Sequence, residues 1–160
     1  MRISAEPSPE ARLAARGIVL PAPPKPAANY IPHRFAGPLL HLAGQGPRDP
    51  GGGFQVGRLG RDTSIAEGYR AARETGLILL AAAKAALGDL GRIEAVIRVF
   101  GMVNAEPDFR DHAAVIDGCS DLFVEVLGEA GRHARAAVGM GSLPFGMPVE
   151  IEATLIVRAG

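Results

Sequence analysis

The chain has 160 residues, 48% of them apolar, enough for one domain with its own core and no disulfide or metal staple. Seventeen basic residues balance seventeen acidic ones, and no basic run interleaves with aromatics, so nucleic acid or an anionic membrane is disfavoured as a partner. The lone Cys119 excludes an internal disulfide and has no CxxC neighbour to suggest zinc; "MRISAEPSPEARLAARG" lacks an apolar leader and "GLILLAAAKAAL" is too short to span a bilayer, so a cytoplasmic chain is expected.

In "SPEARLAARG" Ser8 can cap a short helix, with Pro9 in its first position, Glu10 near its positive end and Gly17 as its stop. Proline at 21, 23, 24 and 26 then predicts an extended connector. Residues 30–45, "YIPHRFAGPLLHLAGQ", read as two strands turning at Gly37-Pro38. The loop "GPRDPGGGFQVGRLGRDT" lacks the Gly-Lys-Ser/Thr ending of a phosphate loop and fits no dinucleotide fingerprint, so its glycines read as turn formers.

The spacing predicts a long helix over 63–87, capped by Thr63 or Ser64 and closed by Gly88, with Ile65, Ala72, Leu79 and Ala83 on its apolar stripe. Residues 94–103 read as a buried strand. Residues 108–127 read as a second helix, with Phe109, Ala113, Ile116, Ser120, Phe123 and Leu127 at helical spacing and Gly128 as its stop. Residues 136–142 and 149–157 follow as strands, the first parallel to 94–103. This order predicts an α+β domain with two helices on one face of a mixed sheet, the other face being left for another subunit.

Charge on the last two strands needs an explanation. Val149, Ile151, Ala153, Leu155 and Val157 share one face; Glu150, Glu152 and Thr154 share the other, which is either solvated or an interface where a buried carboxylate needs a partner or a proton. Arg135 precedes Ala137, Gly139 and Gly141, small residues that leave room on its side for a carboxylate to meet its planar fork. A structural ion pair with one of the glutamates is the plainer alternative. In a simple hairpin Arg135 and Glu150 would face the same way but lie roughly 20 Å apart, and pairing the last strand with 94–103 would still put them at opposite ends of the sheet. A site using both would therefore need two subunits meeting, or a strong bend, and an interface pocket is the expectation.

The histidines, His33, His41, His112 and His133, have no metal-ligand spacing, though His133 lies two residues before Arg135. Cys119 reads as a small core residue, and Asp49, Asp62 and Asp108 as turn or cap residues.

The stretches "HLAGQGPRD", "VFGMVNAEPDF" and "GRHARAAVGMGSLPFGMPVEIEA" resemble the Rid family of reactive intermediate deaminases, also called YjgF or endoribonuclease L-PSP proteins, over about residues 30–157. The resemblance implies a chorismate-mutase-like (YjgF-like) α+β domain over 29–160, with a mixed six-stranded sheet and two main helices on one face, residues 1–28 being an extension. It further implies a homotrimer with its sheets facing inward and three pockets between subunits. The implied activity is cofactor-independent, metal-free hydrolysis of 2-enamine and 2-imine acids, such as 2-aminoacrylate and 2-iminopropionate, to 2-keto acids and ammonia.

By the same resemblance, Arg135 holds the substrate carboxylate and Glu150 positions or activates the attacking water, Glu152 being structural. Tyr30 lines the pocket from a neighbouring subunit and the Gly44 backbone contacts ligand. Ala137 stands where many members have a pocket cysteine, and Ala43 where many have serine. Pro107 occupies the position of a pocket asparagine, leaving Asn104 as the candidate for that role. A non-catalytic trimer that binds a small carboxylate is the competing reading, while RNA cleavage is disfavoured by the neutral charge.

Overall fold

Side-chain caps and left-handed glycines set the element boundaries. In the computed structural model, which describes residues 6–26 and 28–159, helix α1 spans Pro9–Ala15, with the Ser8 hydroxyl accepting from the Ala11 N–H at 3.2 Å and Gly17 at φ +64°. Residues 1–5, at the head of the stretch read for a leader, and Ala27 of the connector lie outside the described residues. α1 is docked: Leu13 is buried, and Glu10 accepts from Lys84 and from the Leu90 N–H.

Strands β1 (His33–Ala36) and β2 (Leu39–Gln45) form the expected hairpin around Gly37. Helix α2 (Ile65–Leu87) opens on a capping box, in which Ser64 and Glu67 each accept from the other's backbone N–H, and closes at Gly88. Strand β3 (Ile93–Asn104), helix α3 (His112–Leu127), strand β4 (Ala134–Met140) and strand β5 (Val149–Val157) follow.

The sheet order is β1-β2-β5-β3-β4, antiparallel throughout except for the parallel β3–β4 pair of the expected β-α-β unit. Among the described residues it has five strands, not the six expected from the resemblance. The glycine- and proline-rich loop after β2 contributes only isolated bridges, Arg48 to Phe54 and Leu59 to Thr63 and Ala105. Helix α3 begins at His112 rather than 108, with Asp111 as its N-cap, so Phe109 and Asp108 belong to the preceding turn. Ile65 and Ala113 are exposed, since each lies in the first turn of its helix before burial begins.

α2 lies over β2 and β5, and α3 over β3 and β4, enclosing Leu40, Leu79, Val99, Ile116, Phe123, Ile151 and Leu155. The two helices approach through glycine. A Cβ on Gly118 would fall on the Tyr69 carbonyl and lie 3.0 Å from the Arg73 nitrogen. Cys119 is fully buried beside this contact, and burial pushes its thiol pKa up to about 12, as suits an unreactive core residue. None of the described helices is long and apolar enough to cross a membrane.

Because a methyl at 118 must separate the two helix backbones, Gly118→Ala should destabilise the protein by about 2 kcal/mol or more. Urea unfolding reads this directly, and an unshifted midpoint would contradict the close packing.

Candidate functional site

The pleat of β5 sends Val149, Ile151, Ala153, Leu155 and Val157 to the helix side, where all five are buried, and Glu150, Glu152 and Thr154 to the opposite face. The two glutamates differ in company. Glu152 reaches Arg98 at 3.5 Å, and Arg98 also lies over the Phe100 ring. Glu150 receives no hydrogen bond and forms no ion pair among the described residues; burial, reinforced by the charge of Glu152, raises its carboxyl pKa above the ordinary value.

Glu150 opens on a cavity of about 510 Å³ lined also by Tyr30, Gly44, Arg48, Phe54 and Phe145. A Cβ on Gly44 would fall on the Glu150 carboxyl oxygen, so a side chain there would displace that carboxyl. The register shift between Leu42 and Gln45 in the β2–β5 pairing is a bulge at this same point, where Gly44 and Gln45 line the cavity. Tyr30, Gly44 and Glu150, singled out separately in the sequence, thus share one site within a single chain.

Arg135 lies elsewhere. In the parallel pairing it stands opposite the buried Val99, so it points to the helix side, where its Nη1 donates to Asp117 at 2.8 Å and to Ser120 at 3.0 Å. Its ion pair is therefore with α3 and not with either glutamate. Glu150 stands opposite Met102, three residues further along β3 and on its other side, so the two Cα atoms are roughly 14 Å apart by strand geometry and their side chains leave opposite faces of the sheet. The residues are close along the sheet rather than at its opposite ends; the sheet itself divides them. The small residues after Arg135 accommodate α3: Ala137 packs on the core, and a Cβ on Gly139 would meet His112.

His133 joins the Arg135 group, with Nδ1 2.6 Å from the Gly131 carbonyl and Nε2 2.9 Å from the Ser120 hydroxyl. The first contact assigns the ring proton to Nδ1, leaving Nε2 to accept from Ser120. Burial lowers the His133 pKa, and nearby Arg135 adds to this.

Asn104 is at the far end of β3, donating to the Gly57 carbonyl at 2.9 Å and accepting from Arg58 at 3.0 Å; its amide pins the loop and does not line the Glu150 cavity. Asp62 and Asp49 accept from the Arg58 and Gly53 N–H groups as turn residues. The sequence reading passed over Arg48, Phe54 and Phe145, taking their segments as turns. The feature that sets Phe145 apart, a left-handed backbone at φ 58° and ψ 11° in a residue other than glycine or asparagine, is visible only in the structure.

A mixed sheet with two covering helices, a bare second face and a carboxyl-bearing cavity on that face define a small α+β protein of the chorismate-mutase-like class. The chain belongs to the family described as "YjgF/chorismate mutase-like, putative endoribonuclease", whose model matches residues 10–150. Protein TCP17 of Trypanosoma cruzi is 44% identical over 144 residues, covering 89% of this chain and 90% of the relative. The crystal structure of Atu1372 from Agrobacterium tumefaciens, a protein of unknown function, superposes with TM-score 0.86 at 45% identity, covering 94% of this chain and 92% of the other. RidA from the Antarctic bacterium Psychrobacter sp. PAMC 21119 matches at TM-score 0.58 and 26% identity, over 85% and 94% of the two chains.

The raised Glu150 pKa has a consequence for stability. Between the ordinary value of 4.5 and the raised folded value, the folded chain keeps a proton that the unfolded chain has released, so this group's contribution to stability falls as pH rises through that window and then levels. Glu150→Gln should remove the slope, gaining on the parent as pH increases. Urea unfolding of both proteins between about pH 4 and 8 measures the difference, which would stay constant if Glu150 titrated normally.

Proposed function

We propose that the chain hydrolyses reactive 2-enamine and 2-imine acids to 2-keto acids and ammonia, in pockets where the Glu150 cavity of one protomer meets the β4 edge of the next in a homotrimer. The observation that carries this reading is Glu150 itself: a half-buried, unpartnered carboxyl with a raised pKa, facing a cavity of small-molecule size. Family membership and the retention of Arg135 support it.

The substrate's carboxylate docks on Arg135 from the neighbouring subunit, exchanging for Asp117 as the guanidinium's partner or sharing it, and this orients the imine carbon toward Glu150. Glu150 takes a proton as water adds to that carbon. That proton passes to nitrogen to give the amino alcohol; Glu150 then carries the hydroxyl proton to the same nitrogen as the carbonyl forms and the carbon–nitrogen bond breaks, and ammonia and the keto acid leave. A carboxyl lifted toward neutrality exchanges protons in both directions better than one at its ordinary value. Tyr30 and the Gly44 backbone bound the substrate on the Glu150 side, and Ala137 lies beneath Arg135 on β4. Asn104 serves the loop.

The bare sheet face supports the assembly. Phe100, Met102 and Ile156 stand half-buried among Glu150, Glu152 and Arg98, and nothing in the described chain covers them. Residues 29–160 are the unit that assembles, and helix α1 of the preceding extension packs beside α3.

Freshly generated 2-iminopropionate tests the reading through release of ammonia and pyruvate. The protein should accelerate release over buffer, and Arg135→Ala and Glu150→Gln should each cost about 100-fold or more, with Arg135→Lys intermediate. No acceleration over buffer, with Arg135→Ala behaving like the parent, would reject the enzyme in favour of a carboxylate-binding protein.

A further inference from the structure

Arg48 lines the Glu150 cavity with its guanidinium carbon 3.8 Å from the centroid of the Phe54 ring. Phe54 stacks in turn on Phe145, with ring centroids 4.6 Å apart and an interplanar angle of 11°. Stacking holds a guanidinium by its face and leaves its edge, with the N–H fork, available to an oxyanion. Lys25 lines the same cavity.

These cations are uncommitted. Among the described residues neither Lys25 nor Arg48 forms a salt bridge, and neither lies within ion-pair distance of Glu150. Glu74, the acid that reaches this loop, is occupied by the Arg48 backbone N–H at 3.0 Å and by the Gln55 side-chain amide. The cavity therefore carries two positive groups against the one carboxyl of Glu150.

Phe145 strengthens the point. Its left-handed backbone is unfavourable for any residue with a β-carbon, and its side chain is 66% exposed, so burial offers little in return. What the ring does in this position is buttress Phe54 and, through it, Arg48.

We infer that Arg48, on its Phe54–Phe145 stack, is a second anion site that selects imine acids carrying a further carboxylate, so that the substrate class is 2-imino dicarboxylic acids. This rests on the deaminase reading: Arg135 of the neighbouring subunit holds the carboxylate next to the reacting carbon, and Arg48 holds the distal one. Lys25 adds charge to the same cavity, and its volume leaves room for the longer side chain.

The test compares 2-iminoglutarate with 2-iminopropionate, each generated in place by an amino-acid oxidase, and pairs turnover with calorimetric binding of the products 2-oxoglutarate and pyruvate. The dicarboxylic imine should have a kcat/KM about tenfold or more above the three-carbon one, and Arg48→Gln should collapse that ratio by a similar factor. Phe145→Gly should lower the ratio too while melting no earlier than the parent, because glycine accepts the backbone conformation; this keeps the test decisive if Arg48→Gln folds poorly. A parental ratio near one overturns the inference and leaves the deaminase standing. So does an equal loss on both substrates in Arg48→Gln, which would make Arg48 the anchor of the shared carboxylate. If neither imine is turned over, the deaminase reading fails, and calorimetry still decides the anion site: tighter, Arg48-dependent binding of 2-oxoglutarate supports it, and equal binding of the two keto acids overturns it.

Discussion

The pleat of β3 is the constraint on which the site depends. β4 and β5 both pair with it, so each of their side chains is assigned to a face by the β3 residue opposite. Val99 belongs to the core and takes Arg135 with it to the α3 side; Met102 faces outward and takes Glu150 with it. No rotamer change brings the two together, because the backbone of the sheet lies between them. Cooperation between the guanidinium and the carboxyl would require a second copy of the chain, and the bare outer face with its half-buried Phe100, Met102 and Ile156 is a surface on which such a copy could pack.

The close approach of α2 and α3 acts on the same geometry from the other side. Gly118 lets the helix backbones touch, and Gly101, where a Cβ would run into Ile116, lets α3 lie low over β3, with Asp117 and Ser120 within reach of Arg135. Held this way, the guanidinium keeps one defined orientation, with His133 fixing the Ser120 hydroxyl behind it. An arginine waiting for a ligand is otherwise a long, mobile side chain that loses substantial entropy on binding, and this network removes part of that cost in advance.

Much of the fold was legible because it is written in local chemistry. Ser8 with Pro9, Ser64 with Glu67, and glycines 17, 88 and 128 announce helix ends through backbone groups that need partners or left-handed angles, and the structure uses them so. The alternation along 149–157 identified both faces of β5. Strand neighbours were not legible. The same alternation is compatible with a hairpin to β4 or with insertion between β2 and β3, and only the latter puts Arg135 and Glu150 on opposite faces. Ile65 and Ala113 fitted an apolar stripe yet are exposed, since periodicity does not reveal where a helix first meets the sheet. Of the candidate site, Tyr30, Gly44 and Glu150 converge, whereas Asn104 fitted by type but is held by Gly57 and Arg58.

The electrostatics of the cavity follow from what each charge has been given as a partner. Glu152 has Arg98, and Glu74 has the loop backbone; Glu150 has no hydrogen-bond or ion-pair partner among the described residues, only burial and a like charge, which is why its proton is held more tightly than usual. Moving Arg48 or Lys25 into contact with Glu150 would undo this, since a paired cation lowers a carboxyl's pKa and ties up the group. Fixing Arg48 on Phe54, itself braced by a strained Phe145, keeps positive charge in the cavity while holding it off the carboxyl. With Arg48 stacked on Phe54 and Glu150 unpaired among the described residues, a cavity with both charges left unspent can receive an anionic ligand and exchange a proton with it.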